Sequence, residues 1–137
     1  MEAETFLTKA QNSLKAAELC LKNGLYDDAV SRAYYAALRA AIALLLKIDV
    51  SLETKRIHAW VQAAFPKECV HRRKVMSQRF VSYISELQND RNIADYHPRY
   101  LSKKTAKRAL TRAKNFVHQI TKVFENDQKE KNKTSNG

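Results

Sequence analysis

The sequence predicts an all-α protein built from four long helices and one shorter helix. Three observations lead to that reading. Glycine and proline number only two each in 137 residues, so little interrupts a helix. Ala and Leu, both strong helix formers, are plentiful. Apolar residues recur at three- and four-residue spacing over most of the chain and rarely alternate. With 45% hydrophobic residues there is enough for one domain with one core. That domain is expected over residues 1–125, with 126–137 a disordered polar tail.

Residues 3 to 23 read as an amphipathic helix. Ala3, Phe6, Leu7, Ala10, Leu14, Ala17, Cys20 and Leu21 lie on one side, and Lys9, Asn12, Lys15 and Lys22 mostly opposite. Gly24 supplies the left-handed residue that closes it. The second helix opens with Asp27 and Asp28 in its first turn, where the macrodipole favours anions. It runs to about Lys47, and its second half is apolar nearly all round, which marks it as the most buried element. Arg32 and Tyr35 interrupt that surface, and Asp28, one turn before Arg32, is its expected ion-pair partner.

After a loop at 48–52, a shorter helix covers Glu53 to Phe65 and stops at Pro66. His58 lies off its apolar side and reads as solvated. A long helix follows over roughly Val70 to Tyr96, with Arg72, Arg73, Lys74 and Arg79 in its first half. Ser102 caps a last helix to about Glu125, whose core stripe includes Ala106, Ala109, Leu110, Ala113, Phe116, Val117, Ile120 and Phe124.

Charge narrows the partners. Lys and Arg total 25 against 14 acids, a formal +11, which a fold does not need and a polyanion would use. Between Asp95 and Glu125 there is no acid, while Arg99, Lys103, Lys104, Lys107 and Arg108 open a dense basic run. These five are candidate nucleic-acid contacts. Cys20 and Cys69 read as reduced thiols, and no His/Cys/Asp/Glu group has metal-ligand spacing, so neither metal nor cofactor is expected. The N-terminus lacks the pattern of a signal peptide. The apolar run of the second helix reads as too short, and too interrupted by Arg39, for a membrane span. A cytoplasmic protein is the resulting expectation.

The stretch Asp90 to Tyr100 carries the chemistry. Apolar positions Met76, Phe80, Tyr83, Ile84, Leu87 and Ala94 fall within roughly 50° of one direction at about 100° per residue. Arg91 sits in the middle of that stripe. A permanently charged side chain there needs a partner or a wet site. Asp95, one turn on, can pair with it. His97 precedes Pro98, which pushes it out of the α region, so the helix should end near Tyr96 and free the imidazole. An Arg, the Asn92 amide and a His at a helix exit could together grip and cleave a phosphodiester.

Ser31-Arg32-Ala33-Tyr34-Tyr35-Ala36-Ala37, the Ala/Leu run after it, and Arg91-Asn92-Ile93-Ala94-Asp95-Tyr96 together resemble the HEPN family, the higher eukaryote and prokaryote nucleotide-binding domains. The resemblance covers about residues 4 to 125. It implies an up-and-down bundle that pairs as a homodimer, in which many members are metal-independent ribonucleases, often toxins silenced by a nucleotidyltransferase-like antitoxin. Their motif, an Arg, four to six residues and a His with a polar residue after the Arg, is matched by Arg91, Asn92 and His97. On that basis these three are the catalytic candidates, with Asp95 and Tyr96 structural or orienting. RNA is the implied substrate. Some members are silenced by AMP placed on a tyrosine just after the His, and Tyr100 is the candidate here, with Tyr96 second. The alternative function is a non-catalytic interaction or nucleotide- or nucleic-acid-binding domain.

Overall fold

The computed structural model describes residues 2–136. Helices α1 (Glu2–Lys22), α2 (Tyr26–Lys47), α3 (Ile57–Ala64), α4 (Arg79–Tyr96) and α5 (Lys103–Asn136) form a bundle, and no strand occurs among the described residues. A π-helical segment, Phe65–Arg72, continues directly from α3.

Helix α2 runs through the middle, packed by α1, α4 and α5. Its alanines at 29, 33, 36, 37, 40, 41 and 43 are fully or almost fully buried, and Ala10 and Ala17 of α1 are equally enclosed. Small side chains let these backbones approach closely, and Tyr34, Leu38, Ile42, Leu44 and Leu45, buried among them, supply the bulk of the core along α2. At one end Phe116 of α5 lies 5.3 Å from Phe65 and 5.9 Å from Phe80, joining three elements through their rings. Edge-to-face and tilted pairs of this kind add about 0.5–1.5 kcal/mol each beyond burial.

The α1–α2 turn follows its sequence signal. Gly24 has φ +75°, Gly24 N–H donates to Leu21 O at 3.2 Å, and Leu25 N–H to Cys20 O at 2.9 Å. Together they make a Schellman closure. Asp49 repeats the geometry after α2, with φ 66° and Val50 N–H on Leu45 O at 2.9 Å. A Cβ at position 24 would meet nothing within 4 Å, so Gly24→Ala is opposed by backbone conformation alone. A loss of about 1 kcal/mol is expected in denaturant unfolding; an unchanged midpoint would disprove this account of the turn.

Three expectations for element ends change. The short helix begins at Ile57, and Pro66 does not stop it. Proline at the second position of the π-helical segment removes one backbone donor, and the chain passes there from α-helical into π-helical geometry without stopping. The helix expected over Val70–Tyr96 is broken at 73–78, where Lys74 takes φ 54° and Cys69 O accepts from both Val75 N and Met76 N. No Gly or Pro marks that break. It lets Cys69, Val70 and Met76 all turn inward, which one straight helix would not allow. Helix α5 continues past Glu125 to Asn136, and Lys47 meets Asp127 at 2.9 Å beside the Phe124 ring.

Helix α2, at 22 residues, has the length and composition to cross a membrane, but 78% of its apolar window is buried inside the bundle. Its length therefore does not exclude a span, contrary to the sequence-based expectation; the neighbouring helices already cover its apolar surface.

Candidate functional site: an arginine held among tyrosines

Arg91 leaves α4 toward α2, and its side chain is only 15% exposed. Its Nη2 donates to Tyr35 Oη at 3.0 Å, and its Nε lies 2.8 Å from Asp95 Oδ2. The Nε–H is buried and forms no aligned hydrogen bond, so the Asp95 contact acts through charge. Asp95 Oδ1 in turn accepts from Ser31 Oγ at 2.6 Å, which fixes the carboxylate from α2. The Arg91 guanidinium also lies 5.7, 5.5 and 5.6 Å from the ring centres of Tyr34, Tyr35 and Tyr96. Burial opposes its charge, but Tyr35, Asp95 and Tyr96 outweigh burial and raise its pKa above the ordinary guanidinium value.

Two residues of α2, Arg32 and Arg39, complete the group. Arg32 does not meet Asp28. Its guanidinium lies over the Tyr35 ring at 5.0 Å, and stacking replaces the expected ion pair. Arg39 sits 5.7 Å from the same ring and donates through Nη1 to Ser13 Oγ of α1 at 2.6 Å.

His58 is not solvated as its position off the apolar stripe suggested. Its ring stacks on Tyr34 at 5.7 Å, and its Nδ1 is 2.6 Å from Tyr34 Oη. Burial, with Tyr35 nearby, pushes the Tyr34 phenol up to about 12, although Arg91 pulls the other way. Tyr34 therefore keeps its proton, and the phenol and the imidazole share one hydrogen bond. Burial, then the Arg91 charge, lowers the His58 pKa. The unfolded chain thus binds a proton more readily, and stability falls as pH drops through the ordinary histidine value near 6.5 toward the lower folded value. Thermal melts should show His58→Gln flattening the dependence in that window; an unchanged pH profile would refute the burial of His58.

His97 lies outside this cluster. It caps α4 in an extended conformation, φ −95° and ψ 146°, with its N–H on Ile93 O at 3.1 Å. Its side chain is exposed, as are Arg99 and Tyr100; Tyr100 is 90% exposed and Tyr96 73%. Asn92 is half-buried beside Arg91. Just beyond, Leu101 N–H donates to Asp27 Oδ1 at 2.9 Å, tying the segment to the start of α2. Ser102 Oγ caps α5 by accepting the Thr105 N–H at 3.1 Å.

The basic run divides in two. Arg112 pairs with Glu86 at 2.8 Å and Lys114 with Glu18 at 3.3 Å. Arg99, Lys103, Lys104, Lys107 and Arg108 are exposed and have no ion pair among the described residues. A profile for the HEPN domain matches residues 3–123. The chain belongs to the HEPN family. Among its relatives, "Putative toxin MJ0605" of Methanocaldococcus jannaschii is 32% identical over 90% of this chain and 89% of its own length. "Putative toxin MJ0142" of the same organism is 36% identical over 69% of the chain, an aligned part that spans 62% of that relative's length. A "UPF0332 protein" of Thermotoga maritima is 30% identical over 89% of the chain. Within this HEPN domain, sequence reasoning placed Arg91 and Asp95 but missed the Ser31, Tyr34, Tyr35, Arg39 and His58 surroundings. The signal available was Tyr35 breaking an alanine-rich surface; nothing local linked His58 to it.

Proposed function

We propose that this HEPN protein is a metal-independent endoribonuclease and the toxin of a pair with a nucleotidyltransferase-like antitoxin. The observation that supports the reading is Arg91, a cation held on an inward face, with the exposed His97 following it six residues later at the exit of the same helix. In this reaction the RNA 2′-hydroxyl attacks the adjacent phosphorus and the 5′-oxygen leaves, producing a cyclic phosphate. His97 moves the protons, Arg91 meets the charge growing on the phosphate, and Asn92 orients the group. Asp95 and Tyr96 hold Arg91, and Arg99, Lys103, Lys104, Lys107 and Arg108 draw in the RNA strand.

One Arg and one His make a thin site. A homodimer that faces two copies across a two-fold axis would bring His97 of one subunit toward Arg91 of the other. Light scattering should give the dimer mass at micromolar concentration; a monomer would remove that arrangement. Purified protein incubated with tRNA should cleave it at the same rate with and without EDTA, since a guanidinium supplies the charge. Loss of cleavage in EDTA would overturn the metal-independent mechanism. Tyr100 is the proposed AMP acceptor for silencing, because the added phosphate would compete with RNA for the same cations. Mass spectrometry after co-expression with an active partner should show AMP-sized increments that vanish in Tyr100→Phe.

A second reading has its own observation. Arg91 is already paired with Asp95, so the domain could serve as a non-catalytic binding module. Absence of cleavage with intact RNA binding would favour it.

A further inference from the structure

Positions 32, 35 and 39 share one face of α2. The Arg32 and Arg39 guanidiniums stand 5.0 and 5.7 Å from the Tyr35 ring centre, and Arg91 reaches the same ring from α4 at 5.5 Å. Three cations thus gather around one phenol at separations comparable to the Debye length of about 8–10 Å. Asp95 answers one of them. Among the described residues no carboxylate pairs with Arg32 or Arg39, and exposed Asp28 stays apart although it sits one turn from Arg32.

The hydrogen-bond donors are also in excess. Tyr35 Oη accepts from Arg91, and its own proton has no acceptor among the described residues. Arg39 commits one N–H to Ser13, and Arg32 commits none. The Nη1 edge of Arg91 also lacks a partner there. Three guanidiniums around one ring, with N–H groups and a phenol O–H short of acceptors, offer the donors that a tetrahedral oxyanion accepts from.

We propose that Arg32, Tyr35 and Arg39, with the open edge of Arg91, form a second phosphate subsite that takes a phosphodiester of single-stranded RNA next to the bond to be cut. The subsite deepens the ribonuclease reading and rests on it for its place beside a scissile bond. Arg91 is shared between the two positions, so adjacent phosphates of one strand would be gripped together. That continuity favours RNA over an acidic protein.

The test measures binding of a fluorescein-labelled, 2′-O-methyl single-stranded oligoadenylate, which cannot be cleaved, by anisotropy across a KCl series. Arg32→Gln and Arg39→Gln should each weaken binding about tenfold, the factor of one charge-assisted contact. Each should also flatten the salt slope by about 0.7, the value for one phosphate on a single strand. Tyr35→Phe should weaken binding and leave the slope unchanged. Lys9→Gln, the same charge change on α1, should do neither. Arg39→Gln loses the Ser13 bond, so melting curves accompany the series and Arg32→Gln decides the outcome. Equal effects from Lys9→Gln, displacement of RNA by polyglutamate as readily as by unlabelled RNA, or tight AMP binding with RNA unaffected by Arg32→Gln would overturn the subsite. Because the probe cannot react, binding that depends on Arg32 without cleavage of natural RNA would sink the ribonuclease and spare an RNA phosphate site. Cleavage with no Arg32 dependence would do the reverse.

Discussion

Replacing His97 with Ala is expected to slow RNA cleavage by about 10²–10⁴-fold, the range of a lost general acid or base, while leaving the melting temperature where it was. The two halves follow from the same geometry. His97 is exposed at the exit of α4, and its backbone N–H, which the substitution keeps, supplies the cap contact to Ile93. Removing the imidazole therefore takes away chemistry and little packing. Rate measurements on tRNA, beside a thermal melt of the same preparation, check both halves. Cleavage at the wild-type rate would remove His97 from the reaction.

Arg91→Ala should show the opposite balance, losing activity and stability together. Cleavage should fall by about 10²–10³-fold, the cost of losing one group that stabilises developing charge. Unfolding should become easier by about 1–3 kcal/mol, because Asp95 and Tyr35 lose a partner in a largely enclosed cluster. The double variant Arg91→Ala/Asp95→Asn separates the two roles. It removes the orphaned carboxylate charge and should recover part of the stability, but none of the cleavage. Recovery of cleavage in the double variant would show that Arg91 acts only by supporting the fold.

Much of this architecture could be read from the sequence, and the failures have physical causes. Gly24 and Ser102 act through local backbone geometry, so their roles are visible in a few residues. The burial of α2 follows from its alanine content, which needs no knowledge of its neighbours. The break after Arg72 was invisible because Lys74 adopts a left-handed conformation without Gly, Asn or Pro to announce it. It is set by the need to bury Cys69, Val70 and Met76 together. The site divides in the same way. Arg91 stood out as a charge on an apolar stripe, and Asp95 lay within one turn of it. Tyr34, Tyr35, Arg39 and His58 reach the site from other elements, and only the packing of α2 against α1, α3 and α4 brings them together. Arg32 stacks on a ring and not against Asp28, because Tyr35 offers a flat partner that helix spacing alone does not reveal.

The hydrogen bond from Leu101 N–H to Asp27 has a consequence for how freely His97 can search space. The span between Ile93, where the His97 amide is fastened, and Leu101, which is buried, is held at both ends and stiffened by Pro98. Such a strap has few conformations to lose when something docks against it. The backbone that carries the imidazole is thus anchored on both sides, like a bracket fixed to the wall of the bundle. Whatever meets His97 has only the rotations of its side chain left to order, because much of the backbone's ordering cost has been met during folding.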